Sequence, residues 1–191
     1  RVRHAADRRD VGEPAVGCDG IQDLLGRVMI RQCEPAESEA ICEVINDAAS
    51  AYRGVIAPDC WNEPYMPRDE LRHEMEHGVV FWGFHEDDRL VGVMGLQHVG
   101  DVALIRHAYT GTASQGRGIG AALLAHLRRQ TDRPMLVGTW KAATWAVRFY
   151  ERHGFRLVPA DQKDELLRRY WTVPDRQIVE SVVLAEEGSC T

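Results

Sequence analysis

The sequence predicts an α/β (α+β) fold, a mixed sheet with helices on its faces. Two observations carry that expectation. From residue 28 onward, short apolar runs alternate with segments of helical period, and a strand past the middle of the chain runs through a glycine-rich turn straight into a helix. At 191 residues with 45% apolar content, the chain suits a single domain over residues 27–191. Residues 1–26, rich in charge and glycine, read as an N-terminal arm.

The elements follow in order. A strand is expected over 28–33, then a helix over 37–50 entered through Pro35-Ala36, then a loop over 52–67 rich in proline and aromatic residues. A short helix over 68–77 stops at Gly78, a residue suited to a helix C-terminus. Strands over 79–84 and 90–98 make a hairpin across Glu86-Asp87-Asp88, and a third strand covers 101–110. The glycine-rich turn then opens a helix in which Ile119, Leu123, Leu124 and Leu127 recur at helical spacing and Arg128 and Arg129 suit the C-terminal end. A strand over 135–139, a helix over 142–153, a strand over 155–158, a helix over 164–170 and a strand over 177–184 complete the domain. No internal repeat is present.

Composition excludes several classes. With 23 basic and 29 acidic residues the formal charge is −6 and no long basic stretch occurs, so a nucleic-acid partner is not expected and a cationic small-molecule or peptide partner is favoured. No apolar run approaches the roughly 20 residues needed to cross a bilayer, so no membrane partner is expected and a cytoplasmic protein is. Cys18, Cys33, Cys42, Cys60 and Cys190 are odd in number, scattered and without a C-x-x-C pair, which fits reduced thiols, with Cys33 and Cys42 as core fillers.

The turn Gln115-Gly-Arg-Gly-Ile-Gly120 carries the chemistry. Glycines at 116, 118 and 120 let the backbone approach a ligand and turn its N–H groups inward, while the helix adds the positive end of its dipole, so the segment reads as a phosphate cradle. It is not a P-loop, because no Gly-Lys-Ser/Thr follows. Nor does G-x-G-x-G past mid-chain match the G-x-G-x-x-G that follows the first strand of a dinucleotide-binding unit.

Gln115 to Gly120 resembles the pyrophosphate-binding motif of the GNAT superfamily of N-acetyltransferases, and Ala146-Val-Arg-Phe149-Tyr150-Glu-Arg-His-Gly154-Phe155 resembles that family's A-x-x-F-Y-E-x-x-G-F helix and strand start. The resemblance covers roughly residues 28–185 by element order. It implies a GNAT-like, mostly antiparallel sheet with helices on both faces and a splayed pair of parallel strands, here 101–110 and 135–139. It further implies an acetyl-CoA-dependent N-acetyltransferase that needs no metal. Gln115, Gly116, Arg117, Gly118, Ile119, Gly120 and Ala121 would bind pyrophosphate, and the backbone of Ala108, Tyr109 and Thr110 would pair with the pantetheine arm. Tyr150 would donate a proton to the departing coenzyme A sulfur. The chain departs from the family at Ala143, where Asn is frequent and usually supplies a cofactor hydrogen bond, and Thr144 stands next to it.

Direct transfer to a primary amine needs a base or a water chain. His107, on the strand before the cradle, is the candidate base, with Glu63 and His98 as remoter ones. Trp61, Glu63 and Tyr65, in the aromatic loop, are the candidate acceptor contacts. The family also implies a homodimer, which the strand over 177–184 could support, although an internal sheet partner would explain that strand equally. Two alternatives stand beside this reading. His73-Glu74-Met75-Glu76-His77 satisfies the H-E-x-x-H of zinc metallohydrolases, although no third ligand follows. A non-catalytic acyl-CoA-binding sensor on the same fold is the other.

Overall fold

The computed structural model describes residues 28–188; the arm over 1–26, Cys18 and Cys190 lie outside the described residues. One seven-stranded sheet runs in the order β1-β2-β3-β4-β5-β7-β6. Its strands are β1 (Val28–Gln32), β2 (Val80–Glu86), β3 (Arg89–Val99), β4 (Val102–Thr110), β5 (Met135–Trp140), β6 (Phe155–Leu157) and β7 (Ser181–Glu186). All neighbours pair antiparallel except β4 and β5, which are parallel. The β2–β3 hairpin closes through Asp87 and Asp88, whose φ values of 48° and 63° are those of a tight turn matched to strand twist.

Among the described residues, six α-helices cover the sheet: α1 (Ser38–Ala49), α2 (Arg68–Glu76), α3 (Ile119–Leu127), α4 (Thr144–Arg152), α5 (Ala160–Tyr170) and α6 (Asp175–Glu180). On one face Ile119, Leu123, Leu124 and Leu127 of α3 and Tyr150 of α4 pack with Met94, Ile105, Val137 and Leu184 of the strands. On the other face α1 and α2 bury Ile41, Ile45 and Leu71 against Phe81 and Val93, with Cys33 and Cys42 as buried free thiols. Beside them Leu167, Tyr170, Trp171 and Ile178 cover Leu104, Leu136 and Val183. Each apolar stripe thus meets a strand face of matching period.

The structure corrects the sequence reading at the C-terminal strand. Residues 177–180 belong to α6, and the strand begins only at Ser181. The β-branched pair Ile178-Val179 suggests a strand, but Pro174 at the N-cap and Asp175 in the first turn start a helix, and the N–H groups of Gln177 and Ile178 bond the Pro174 carbonyl. Ile178 is buried and Val179 exposed, as a helix turning once against the sheet requires. For the same reason α5 begins at Ala160, after Pro159, and not at 164. Both edges of β7 are paired within the chain, to β5 and β6, so the internal sheet partner accounts for that strand. Among the described residues, no helix is long and apolar enough to cross a membrane.

The entry to α1 is pinned to the sheet by charge. Arg31 grips both Glu37 carboxylate oxygens at 2.7 and 2.8 Å, the Glu34 N–H donates to the same carboxylate at 2.8 Å, and Nε2 of buried His85 lies 3.1 Å from it. These contacts, the Arg31 bond foremost and against the cost of burial, hold the Glu37 carboxyl down from its ordinary 4.5 to about 2. A depressed carboxylate stabilises the fold above its unfolded pKa and loses that contribution as pH falls through the folded one. Glu37→Gln is therefore expected to destabilise the protein by on the order of 1–3 kcal/mol at neutral pH. In denaturant titrations the gap to wild type should narrow as pH drops from 4.5 toward 2.

Candidate active site

β4 and β5 pair only at Ala103↔Met135, Leu104↔Leu136 and Ile105↔Val137. Beyond these, β4 continues with β3 as far as Thr110 and β5 continues with β7 as far as Trp140, so the two strands part. The parting coincides with a bulge: Val93 faces Tyr109 but Gly95 faces Arg106, which leaves one extra residue on β4. His107 there has φ of 47°. Gly95 is required opposite it, because a Cβ would stand 2.8 Å from Val79 and 3.0 Å from the Arg106 carbonyl oxygen. A cleft of about 810 Å³ opens in the gap.

The cradle borders this cleft. Gly116 and Gly118 have φ of 75° and 81°, and a Cβ at either would project into open space, so the loop is bare backbone. The first intrahelical bond of α3 runs from Ala122 to Gly118, so the N–H groups of Ile119, Gly120 and Ala121 have no partner within the helix. Asp47 of α1 holds the approach to the loop by accepting from the N–H and hydroxyl of Thr112 at 2.6 and 2.9 Å.

Tyr150 lines the cleft from α4 with its ring edge-on to Phe149 at 5.0 Å and Phe155 at 5.5 Å. Burial, with a smaller contribution from Tyr52, raises its phenol well above the ordinary value, so it stays protonated at neutral pH. Opposite, the bulge turns Arg106 and His107 both toward α2. Arg106 donates to Glu74 at 2.7 Å and to Gln97 at 2.6 Å. The His107 ring stacks on Phe81 at 5.9 Å, and its buried Nε2 lies 3.5 Å from the Glu74 carboxylate without a hydrogen bond. Burial pushes the Glu74 carboxyl up, but the His107 contact and the Arg106 charge outweigh it and hold the group below the usual range.

Residues 36–169 match the family model of the acetyltransferase (GNAT) domain. The chain belongs to the GNAT family of acetyltransferases. Among solved structures it is similar to a GNAT-family acetyltransferase from Staphylococcus aureus, at 16% identity and a TM-score of 0.64 over 84% of this chain and 98% of that one. The PaiA N-acetyltransferase of Thermoplasma acidophilum, solved in complex with coenzyme A, gives 16% and 0.62 over 84% and 98%. The ribosomal-protein-S18-alanine N-acetyltransferase of Escherichia coli gives 15% and 0.61 over 86% and 96%. No curated protein sequence matches the chain significantly.

In this acyltransferase the cleft gathers most of the residues singled out in the sequence. Ala108, Tyr109, Thr110, Gln115, Gly116, Gly118, Ile119, Gly120 and Ala121 line it, as do His107, Tyr65 and Tyr150. Arg117 stands outside the lining, bonded to Glu86 at 2.7 and 2.9 Å. Glu63 also stands outside, exposed and paired with Arg53 at 2.5 Å, while Trp61 packs behind Tyr65 at 5.5 Å under the Arg53 guanidinium. His98 is exposed and bonded to Thr131. In the H-E-x-x-H segment the exposed His73 and His77 rings face each other at 3.9 Å, and Glu74 turns away to Arg106. No group of three or more His, Cys, Asp or Glu placed to hold a metal occurs among the described residues. Ala143 is fully buried and Thr144 exposed.

Sequence reasoning missed Trp140, Trp145, Trp171 and Gln177 as wall residues and Glu74 as a neighbour of His107. The Trp pair flanking the start of α4 was the only local signal.

A left-handed conformation and an unpaired buried nitrogen both cost stability at His107. His107→Asn suits that backbone better. It is expected to melt within about 1 kcal/mol of wild type, or above it, while losing activity. A large fall in melting temperature with activity kept would show a structural imidazole.

Proposed function

We propose that the protein binds acetyl-CoA in the β4–β5 gap and transfers its acetyl group directly to a primary amine. The observation that carries this is that the bare-backbone cradle, the neutral Tyr150 phenol and the His107 imidazole border one continuous cleft. The residues fit the co-substrate. Gln115 to Ala121 offer a pyrophosphate main-chain N–H groups at the positive end of a helix, and the β4 edge at 108–110, free of β5, offers amide partners to a pantetheine arm.

When bound, acetyl-CoA supplies a thioester carbonyl carbon for attack by the amine. His107 takes a proton from the attacking nitrogen as the C–N bond forms. Glu74, next to Nε2, balances the resulting imidazolium and leaves Nδ1 for the cleft. Main-chain N–H groups of the opened β4 edge meet the carbonyl oxygen. As the C–S bond breaks, Tyr150 gives its proton to the sulfur, and solvent returns one to the phenol while removing that on His107.

Calorimetric titration with acetyl-CoA tests the first half. One-site binding is expected, and Gly118→Glu, which fills the open space and forces a left-handed φ on a residue with a side chain, should abolish it. Absence of binding to wild type would overturn the proposal. For the second half, Tyr150→Phe is expected to lower kcat about 10²-fold with acetyl-CoA affinity kept. Glu74→Gln is expected to lower kcat about tenfold with acetyl-CoA affinity kept, since the imidazolium formed during transfer loses its neighbouring carboxylate.

A further inference from the structure

The chain carries 29 acidic residues and a formal charge of −6, yet none of the cleft-lining residues is Asp, Glu or Lys. The acidity that favours a cationic partner lies elsewhere. At one end of the cleft the walls are aromatic instead. Tyr52 comes from the end of α1, Tyr65 from the loop before α2, Tyr109 from β4, Trp140 from β5 and Trp145 from α4. Ring centroids stand 5.6 Å apart for Tyr52 and Tyr65, 6.2 Å for Tyr52 and Tyr109, and 6.4 Å for Tyr65 and Tyr109. Trp145 stacks on Tyr52 at 5.7 Å and 25° and is 44% exposed, so the rings of this aromatic box pack on one another and Trp145 stands at its exposed edge.

The box carries no net charge. Burial pushes the Tyr52 phenol up to about 12 and raises those of Tyr65 and Tyr109, so all three stay neutral. Trp140 Nε1 donates to the Tyr65 oxygen at 2.9 Å. The Arg106 guanidinium is answered by Glu74 and Gln97. Arg152 is seven residues along α4 from Trp145, about 10 Å.

We infer that the acceptor is a monoamine carried on an uncharged aromatic body, an arylalkylamine, whose ring lies in the cleft against the face formed by Tyr52, Tyr65, Tyr109 and Trp145 and whose amine reaches toward His107. This rests on the acyl-transfer reading. A second ammonium, as in a polyamine or an aminoglycoside, would leave water for a wall with no carboxylate. The carboxylate of an amino acid would find no free cation at this end. A flat ring gains edge and stacking contacts of about 0.5–1.5 kcal/mol each beyond its buried area.

The test is a set of amines with wild-type protein and acetyl-CoA, followed by release of the coenzyme A thiol: 2-phenylethylamine and tryptamine against spermidine, phenylalanine and 2-cyclohexylethylamine. The aromatic monoamines are expected to exceed spermidine and phenylalanine in kcat/KM by about 100-fold or more and the saturated ring by roughly fivefold. Trp145→Ala, at an exposed position, should raise KM for 2-phenylethylamine about tenfold with acetyl-CoA affinity unchanged. Faster turnover of spermidine or phenylalanine, or an unchanged KM in Trp145→Ala, would overturn the aromatic assignment and leave acyl transfer standing. Bound acetyl-CoA with no turnover of any amine would overturn both.

Discussion

Three residue pairs join β4 to β5, and everything distinctive about the molecule follows from their ending after Ile105 and Val137. Parallel strands that separate expose backbone groups, and such groups need partners. On their outer sides the two strands keep theirs, β4 with β3 and β5 with β7, so the sheet survives the parting and only the inner edges are left open. The bulge at His107 makes the separation local. It takes up one residue of β4, turns Arg106 and His107 to the same side and returns Ala108 to the α3 side, where it packs with the core. The gap is held by well-packed flanks, which is how a fold keeps a cavity it would otherwise collapse.

Around that gap, charge is arranged by what is kept out. Acidic side chains are numerous on the chain, and Glu74, beside cleft-lining Arg106 and His107, is committed to both. The remaining polar machinery is neutral at rest: phenols held protonated by burial and main-chain N–H groups at the head of α3. Neutral groups lose less on desolvation than charged ones, and they gain strength when charge develops among them in a low-dielectric setting. Such a lining suits an acyl transfer whose reacting atoms, a thioester carbonyl and an amine nitrogen freed of its extra proton, are uncharged before attack.

How much of this could be read from the chain depends on whether the determinant is local. The cradle was legible because a glycine run states directly where φ must be positive, and Gly116 and Gly118 adopt it. Tyr150 was legible from the helix it shares with Phe149, although both residues, not Tyr150 alone, reach the cleft. Of the aromatic wall only the rings of the 52–67 loop were, because Tyr109, Trp140 and Trp145 arrive from three other segments and no sequence spacing links them. Glu74 shows how a motif can mislead: the i, i+4 histidines beside it satisfy a metal pattern, yet the partner that claims it, Arg106, is 32 positions away on the sheet. At residues 177–180 side-chain propensity and start signal disagreed, and Pro174-Asp175 decided the outcome.

Near the mouth of the cleft, Arg176 of α6 reaches across to Asp59 of the aromatic loop at 2.7 and 3.2 Å and also holds Glu180 at 2.5 Å. Both ends of the Arg176–Asp59 link are about half exposed to solvent. Exposed pairs of this kind contribute about 0–1 kcal/mol and weaken as ions screen them. The loop that supplies Tyr65 and the helix that supplies Gln177 are therefore fastened to each other by a clasp that water and salt can release, while the hydrophobic layers on either side of the sheet stay closed. Loss of this link would leave the cohesion of the fold untouched.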